Sequence, residues 1–297
     1  MVKRVNIREL LSKEQVFAPC VHDCMSARTV EMCGYNGIFL SGGTTANSML
    51  GMPDIAAMSL DELVWATTRI ADYSYLPLFV DADHGYGEGP LNVYRTACRL
   101  QKAGAVGFSI EDTAGVHGWE RMTHNNENES VIPVDDWLAK LRAAKAATEG
   151  SDCIVIARTE TKFSQGLDAA IERCQRALDV GADMTMIVGI KTIDDCRRIA
   201  EKVPGWKMYP DLFSHDGIPD VNIDEVYELG FNLVTIHYLQ KGAMYGMMKY
   251  GMENFKNKSA VFSDQHDMGG LTEEEQKKLR GFDAPYWFDL ERQFRGE

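Results

Sequence analysis

Short apolar, β-branched runs alternate with longer amphipathic runs along most of the chain. The short runs fall at 17–21, 37–40, 76–80, 106–110, 153–157, 184–188, 207–209 and 233–236. They are apolar almost without a break, the pattern of parallel strands covered on both faces. The longer runs at 90–103, 134–148, 167–180, 192–203 and 223–229 read as helices. Ser59-Leu60-Asp61-Glu62 predicts a helix start, with a capping hydroxyl and acids in the first turn. Gly104, Gly181 and Gly230 stand where helices should end in a left-handed turn.

Repeated strand–helix units imply right-handed parallel crossovers. Eight such units favour an α/β fold closed into a (β/α)₈ TIM barrel over an open sheet. We expect one domain over 1–297, with a helical extension from about 256. Residues 240–255 read as the last barrel helix, and 271–280 and 284–294 as the extension. Tyr286, Trp287 and Phe288 in the extension suggest packing on another subunit or on their own barrel. Two stretches resist a regular reading: 42–58, rich in Gly and Met, and the very polar 113–131. A long polar loop in a compact domain is a functional lid or disordered. This one follows the fourth strand, on the face where barrel active sites form.

Composition narrows the partners. A length of 297 residues at 45% hydrophobic content suits one large core. A net charge of −13 disfavours nucleic acid and anionic membranes, which need neutralising Lys and Arg. It does not disfavour an anionic substrate, because a bound metal inverts the local field. The absence of a long apolar run or a secretory-type start predicts a cytoplasmic protein with no membrane association. Seven cysteines without a Cys-x-x-Cys pair read as reduced thiols, with Cys98, Cys153 and Cys174 at core positions.

The candidate chemistry lies just after the strands. Ser41-Gly42-Gly43 follows the second, Asp81-Ala82-Asp83-His84-Gly85-Tyr86-Gly87 the third, Glu111-Asp112 the fourth, Arg158-Thr159-Glu160 the fifth and His237 the eighth. These ends converge on one mouth in a barrel. Acids crowded there repel one another unless a cation binds. Asp81 and Asp83, two apart, would point the same way in extended chain. With Glu111 they form an oxygen-only set, which suits Mg²⁺ or Mn²⁺. Ser41-Gly42-Gly43 can present backbone N–H groups to a carboxylate or phosphonate. Arg158 needs a carboxylate partner, from the protein or the substrate. His237 can donate a hydrogen bond to a substrate carboxylate or oxyanion.

The runs Phe79-Val80-Asp81-Ala82-Asp83-His84-Gly85-Tyr86-Gly87, Leu91-Asn92-Val93, Ser109-Ile110-Glu111-Asp112 and Ile156-Ala157-Arg158-Thr159 resemble the isocitrate lyase/phosphoenolpyruvate mutase superfamily. Ser41-Gly42-Gly43 and Leu50-Gly51-Met52-Pro53-Asp54 match it in order and spacing, and the resemblance spans roughly residues 10 to 250. It implies a barrel whose eighth helix swaps between subunits, with a dimer of dimers, a homotetramer, as the assembly. It implies Mg²⁺ held directly by Asp81, with Asp54, Asp83 and Glu111 acting mainly through water. It implies that Ser41, Gly42, Gly43 and Arg158 hold the carboxylate of a small 2-oxo or 2-hydroxy acid. The shared intermediate would be a pyruvate enolate, stabilised by the cation as its oxygen gains charge.

The sequence departs from the lyases of that superfamily. Trp119 stands about where their loop carries an acidic Cys, Val188-Gly189 replaces an acid after the sixth strand, and Phe39-Leu40 replaces a Tyr before the Ser-Gly turn. Phosphonopyruvate-type members have a Lys soon after Glu-Asp and an Asn in the loop. Here Thr113 follows Glu111-Asp112, and Asn125 and Asn126 come late. The branch resembling oxaloacetate decarboxylase shares Asp-His-Gly-Tyr-Gly, Ile-Glu-Asp-Thr, Val-Gly and the late His. The expected function is C–C bond cleavage, as in oxaloacetate decarboxylase or methylisocitrate and dimethylmalate lyases. The alternatives are a phosphoenolpyruvate mutase or phosphonopyruvate hydrolase acting on a C–P bond, and a non-catalytic barrel that only binds. His117, Glu120 or His124 on the polar loop could supply a general acid.

Overall fold

Strands of the expected kind form where apolar runs meet Gly- and Asp-marked ends. In the computed structural model they are Val16–Phe17 with Cys20–Val21, then Ile38–Leu40, Leu78–Asp81, Gly107–Glu111, Ile154–Thr159, Met184–Ile187, Trp206–Tyr209 and Phe231–Val234. The structure describes residues 6–114, 131–237, 239–260, 272–282 and 284–296. All these strands pair in parallel, in sequence order around one sheet. Closure comes from the first strand. Val16–Phe17 pairs with the eighth strand, and Cys20–Val21 pairs with the second. The residues between keep the seam bonded, with Ala18 N–H donating to Val234 O at 2.8 Å and Cys20 N–H to Ile236 O at 2.9 Å. The sheet is thus a barrel without free edges.

Alternate residues of each strand point inward. Val16, Ala18, Cys20, Phe39, Phe79, Ile154, Ile156, Met184, Met186, Met208 and Leu233 fill the interior as one apolar cluster. Continuing that period of two carries Asp81, Ser109, Glu111 and Arg158 to the inner wall at the C-terminal rim. The outward residues pack under the helices, as with Val80, Phe108, Val155 and Ala157 beneath Leu100, Trp137 and Leu141.

Most predicted helices form, including Pro90–Ala103 and Val134–Ala147, and Ser59 closes a capping box with Glu62 at the start of Leu60–Tyr73. Gly104, Gly181 and Gly230 take positive φ at 109°, 96° and 84°. The stretch 42–58 is not irregular throughout. Gly42–Leu50 is a helix, N-capped by the Ser41 hydroxyl, which accepts from Thr44 N–H at 3.3 Å, and ended by Gly51 at φ 63°. Its small residues suit close packing, with Gly42 through Ala46 buried. The Gly-Gly start hid a helix whose signals are its two caps. Helices Ile7–Lys13 and Cys24–Met32 and a short antiparallel hairpin, Ser214–His215 with Ile218–Pro219, also lay outside the sequence reading.

All seven cysteines are free thiols, and Cys153 and Cys174 are buried while Cys98 is only half-buried. The chain divides into two compact units, Met1–Leu239 and Gln240–Glu297. The second holds most of helix Leu239–Asn257, with Glu273–Gly281 and Ala284–Arg295. Among the described residues, no helix is long and apolar enough to cross a membrane.

Candidate active site

The inner rim of the barrel carries a guanidinium among carboxylates. Arg158, at the end of the fifth strand, is buried. Its Nη1 donates to both Asp81 oxygens at 3.1 and 2.9 Å. Its Nη2 lies 3.1 Å from Glu111 Oε2, and Nε and Nη2 donate to Glu160 Oε1 at 3.0 and 2.6 Å. The partners of Arg158 are therefore protein acids, Asp81 and Glu111 at the ends of the third and fourth strands and Glu160 just past the fifth. Burial alone would lower the Arg158 pKa, but Glu111, Asp81 and Glu160 outweigh it and raise it further, so the group stays charged. Three carboxylates against one guanidinium leave an excess of negative charge on buried groups.

Neighbours hold these acids in place. Ser109 Oγ donates to Asp81 Oδ1 at 3.0 Å, and the Thr113 hydroxyl donates to Glu111. Asp112 faces away from this set. It accepts from Thr159, Thr161 and Glu160 N–H and pairs with Arg173 at 2.9 Å, tying the fourth strand to the fifth. Burial raises the Asp112 pKa, and these bonds and Arg173 oppose that shift.

Asp83 reaches the same mouth by a route unlike the one its spacing suggested. The chain leaves the extended conformation at Asp83, with φ 46°, Gly85 at 94° and Tyr86 at 56°. Asp83 N–H points back at Asp81 Oδ1 (3.3 Å), and its carbonyl accepts Glu111 N–H at 2.9 Å. The Asp83 carboxylate lies against the Ser41-Gly42 turn, since a Cβ added at Gly42 would stand 3.1 Å from its Oδ1. Gly85 is required by its backbone and its space, because a Cβ there would sit 2.5 Å from Val93 Cγ2. Asp54 arrives from an exposed loop and packs on Gly43, where a Cβ would come within 2.6 Å of its Cγ. The Tyr86 hydroxyl is buried within range of the charges of Asp83, Asp81 and Asp54. Burial, then the charges of Asp83, Asp81 and Asp54, raise its pKa and keep it a donor.

Ser41, Gly42 and Gly43 form the first turn of helix Gly42–Leu50. The N–H groups of a first turn have no partner within their helix and favour anions. That anion-binding end touches Asp83 and Asp54, so a carboxylate bound there needs a cation between. The donor set is oxygen throughout. Among the described residues, no three Asp, Glu, His or Cys side chains converge closely enough to hold a metal by themselves. Such a set fits Mg²⁺, which keeps several waters and takes one or two carboxylates, and does not fit a closed zinc site. A cleft of about 890 Å³ opens beside this loop, lined by His84, Glu88, Thr113, Asp136 and Lys140. Lys140 Nζ donates to His84 O at 2.9 Å, and burial lowers its pKa against the pull of Glu111, Glu88 and Asp136.

His237 lies elsewhere on the rim. Its Nδ1 is 3.3 Å from Asp211 Oδ1, and its ring meets Phe39 edge-on with centroids 6.4 Å apart. Thr113 bridges to Val131, closing the base of the polar loop. Trp119 and the loop candidates His117, Glu120 and His124 lie outside the described residues. Sequence reasoning left Ser109, Tyr86, Asp211 and Glu160 without roles. The inward alternation that selects Glu111 also selects Ser109. Glu160 sits past its strand in a short helical turn, where no period points to Arg158. Glu160→Gln keeps the shape but removes one carboxylate from a charged pair. We expect a stability loss of about 1.5–3 kcal/mol, read from the urea midpoint at unchanged m. An unaltered midpoint would show that Glu160 does not help anchor Arg158.

The family described as phosphoenolpyruvate phosphomutase matches residues 7–256. The petal death protein of Dianthus caryophyllus is 30% identical over 285 residues, 94% of this chain and 85% of that protein. Oxaloacetate decarboxylase 1 of Pseudomonas fluorescens is 32% identical over 267 residues, 89% of this chain and 88% of its own. The solved structure of oxaloacetate acetylhydrolase with the inhibitor 3,3-difluorooxalacetate aligns with a TM-score of 0.84 at 25% identity, over 97% of this chain and 96% of that one. The strand-end acids, the Ser41 turn and the closed barrel agree with that likeness, and the chain belongs to the phosphoenolpyruvate mutase/isocitrate lyase superfamily.

Proposed function

We propose that this chain is a magnesium-dependent lyase that cleaves a C–C bond in a small 2-oxo or 2-hydroxy dicarboxylate by way of a pyruvate enolate. Oxaloacetate or a substituted malate is the substrate class. The carrying observation is that Asp83 and Asp54 lie against the helix start at Ser41-Gly42-Gly43, while Asp81 and Glu111 share Arg158 on the same rim. The solved structure of phosphonopyruvate hydrolase, a protein of the same fold, holds oxalate and Mg²⁺. Asp81 would hold the ion directly, with Asp54, Asp83 and Glu111 acting through its waters. When bound, the ion supplies positive charge to the oxygen that becomes negative as the bond breaks.

The chain's own groups do the rest. Ser41, Gly42 and Gly43 receive the substrate carboxylate at the helix start, and Arg158 supplies the fixed positive charge of the rim. Arg158 also keeps Asp81 and Glu111 in one arrangement, so little reorganisation accompanies reaction. When C3–C4 of oxaloacetate breaks, its electron pair passes into the 2-oxo group, CO₂ leaves, and C3 then takes a proton. The relatedness to oxaloacetate decarboxylase 1 supports this order of bonds.

We further propose a homotetramer in a cytoplasmic setting. The second unit exposes Met244, Met247, Met248, Met252 and Phe255 on one helix, and Tyr286, Trp287 and Phe288 on another. Apolar faces of this kind mark protein contacts. Sedimentation equilibrium should give four chains, and Phe255→Glu with Trp287→Glu should shift the population to smaller species. A monomeric parent protein would remove this part of the proposal.

The activity test is a panel of 2-oxo and 2-hydroxy acids, with and without Mg²⁺, read by pyruvate release. One or more should release pyruvate only with the metal, and Asp81→Asn should lower that rate at least about a thousandfold. Turnover unchanged in Asp81→Asn or in excess chelator would sink the reading. Phosphate release from phosphonopyruvate with no pyruvate from any carboxylate would shift it to the C–P alternative.

A further inference from the structure

The turn after the third strand is held largely from outside itself. Its four successive carbonyls, from Ala82 to Gly85, all have donors. Ala82 O accepts Gly85 N–H at 2.8 Å, and Asp83 O accepts Glu111 N–H at 2.9 Å. His84 O accepts the Lys140 ammonium at 2.9 Å, and Gly85 O accepts the Thr96 hydroxyl at 2.9 Å. Three of these donors belong to other elements: the fourth strand, helix Val134–Ala147 and helix Pro90–Ala103. Asp83 and Tyr86 in this turn sit at φ 46° and 56°, backbone that bears side chains only at a cost. Such a conformation persists where its surroundings impose it.

Lys140 is the one charged donor of the four. It is only 4% exposed, and burying an ammonium is costly. A charged donor makes a stronger bond to a carbonyl than a neutral one does, and so holds a strained turn more firmly. Glu111, Glu88 and Asp136 lie within range of the ammonium and offset part of that cost. The same helix also reaches the neighbouring strand. Trp137, fully buried and about one turn before Lys140, donates from Nε1 to Ile110 O at 3.2 Å. One helix face thus grips the backbone beside Glu111 and the backbone beside Asp83.

We infer that Lys140 is a positioning residue whose ammonium pins the His84 carbonyl, keeps the turn at Asp83 left-handed and so fixes the Asp83 carboxylate against Ser41-Gly42, ready for a metal ion. This role rests on the magnesium site proposed above. Removing Lys140 has two effects of opposite sign. As a nearby positive charge it repels a cation, so losing the charge alone would tighten metal binding. As a clasp it keeps the turn ordered, so losing it makes Asp83 pay for its order when the metal binds. The clasp acts through a direct bond to the residue next to Asp83, whereas Glu111, Glu88 and Asp136 counter the charge. The clasp therefore outweighs the charge, and metal binding weakens without Lys140.

The test compares wild type with Lys140→Met and with Lys145→Met, each as the full chain. Lys145 lies on the same helix but pairs with Asp183 at 2.7 Å, so its loss reports general loosening of that helix. Free Mn²⁺ is measured by paramagnetic resonance during titration, and amide hydrogen exchange by mass spectrometry on the metal-free proteins. Lys140→Met should speed exchange in the peptide spanning 82–90 and weaken Mn²⁺ binding at least about tenfold. Lys145→Met should leave both at wild-type values. Should Lys140→Met not fold, Lys140→Gln keeps a polar end that stops one atom short of His84 O, and the same two readouts decide. Unchanged exchange in that peptide, unchanged or tighter Mn²⁺ binding, or an equal loss in Lys145→Met overturns the inference alone. A wild type that takes up no Mn²⁺ overturns the magnesium site, and this inference with it.

Discussion

The contact on which the site depends is the Arg158 guanidinium held among Asp81, Glu111 and Glu160. These groups are almost wholly withdrawn from water, and desolvating any one of them alone would be costly. Together they are paired, because Arg158 spreads its fixed donors over Asp81, Glu111 and Glu160. The pairing is incomplete in charge, with Asp83 and Asp54 adding to the excess from the neighbouring loops. Acids placed beside a helix start are the arrangement that the proposed cation would answer. The Arg158 pairing also fixes the acids before any ligand arrives, which is how a rigid scaffold contributes to catalysis.

The barrel makes this possible through register. Ser109 pairs with Asp81 and Arg158 with Glu111 across neighbouring strands, so inward alternation sets the polar groups directly over an apolar filling. Closure by the split first strand then brings Cys20 and His237 to the same rim. The loop after the third strand departs from regular structure at Asp83, Gly85 and Tyr86, and that departure turns Asp83 toward the helix start. Irregular backbone at this point is the local cost of presenting three aspartates to one volume.

How much of this could be read from the chain follows from how local each signal is. The strands and most helices were legible, because burial on two faces and amphipathic periodicity are written in consecutive residues. The meeting of Asp81, Glu111 and Arg158 on one rim was legible for the same reason, since each lies at the end of a recognisable strand. The convergence of Asp83 was legible but its cause was not, because a left-handed turn replaced the extended spacing. Helix Gly42–Leu50 escaped notice because its residues are small and weakly periodic, and its caps are single residues. The approach of Tyr86 to Asp54 and of His237 to Asp211 joins distant segments, to which no short spacing corresponds. Glu160 stands two residues from Arg158 but past the strand end, where alternation no longer points. The likeness to lyases and decarboxylases directs attention to C–C chemistry. The departures at Trp119 and Val188-Gly189 turn it from their usual acid groups to those this chain does carry.

In the proposed site Asp81 seats one divalent cation in reach of a 2-oxo acid analogue. Replacing Mg²⁺ with Mn²⁺ and recording its paramagnetic resonance with oxalate tests this without turnover. One bound Mn²⁺ per chain, a spectrum altered by oxalate, and loss of both in Asp81→Ala are expected. Mn²⁺ and oxalate bound equally well without the Asp81 carboxylate would contradict it.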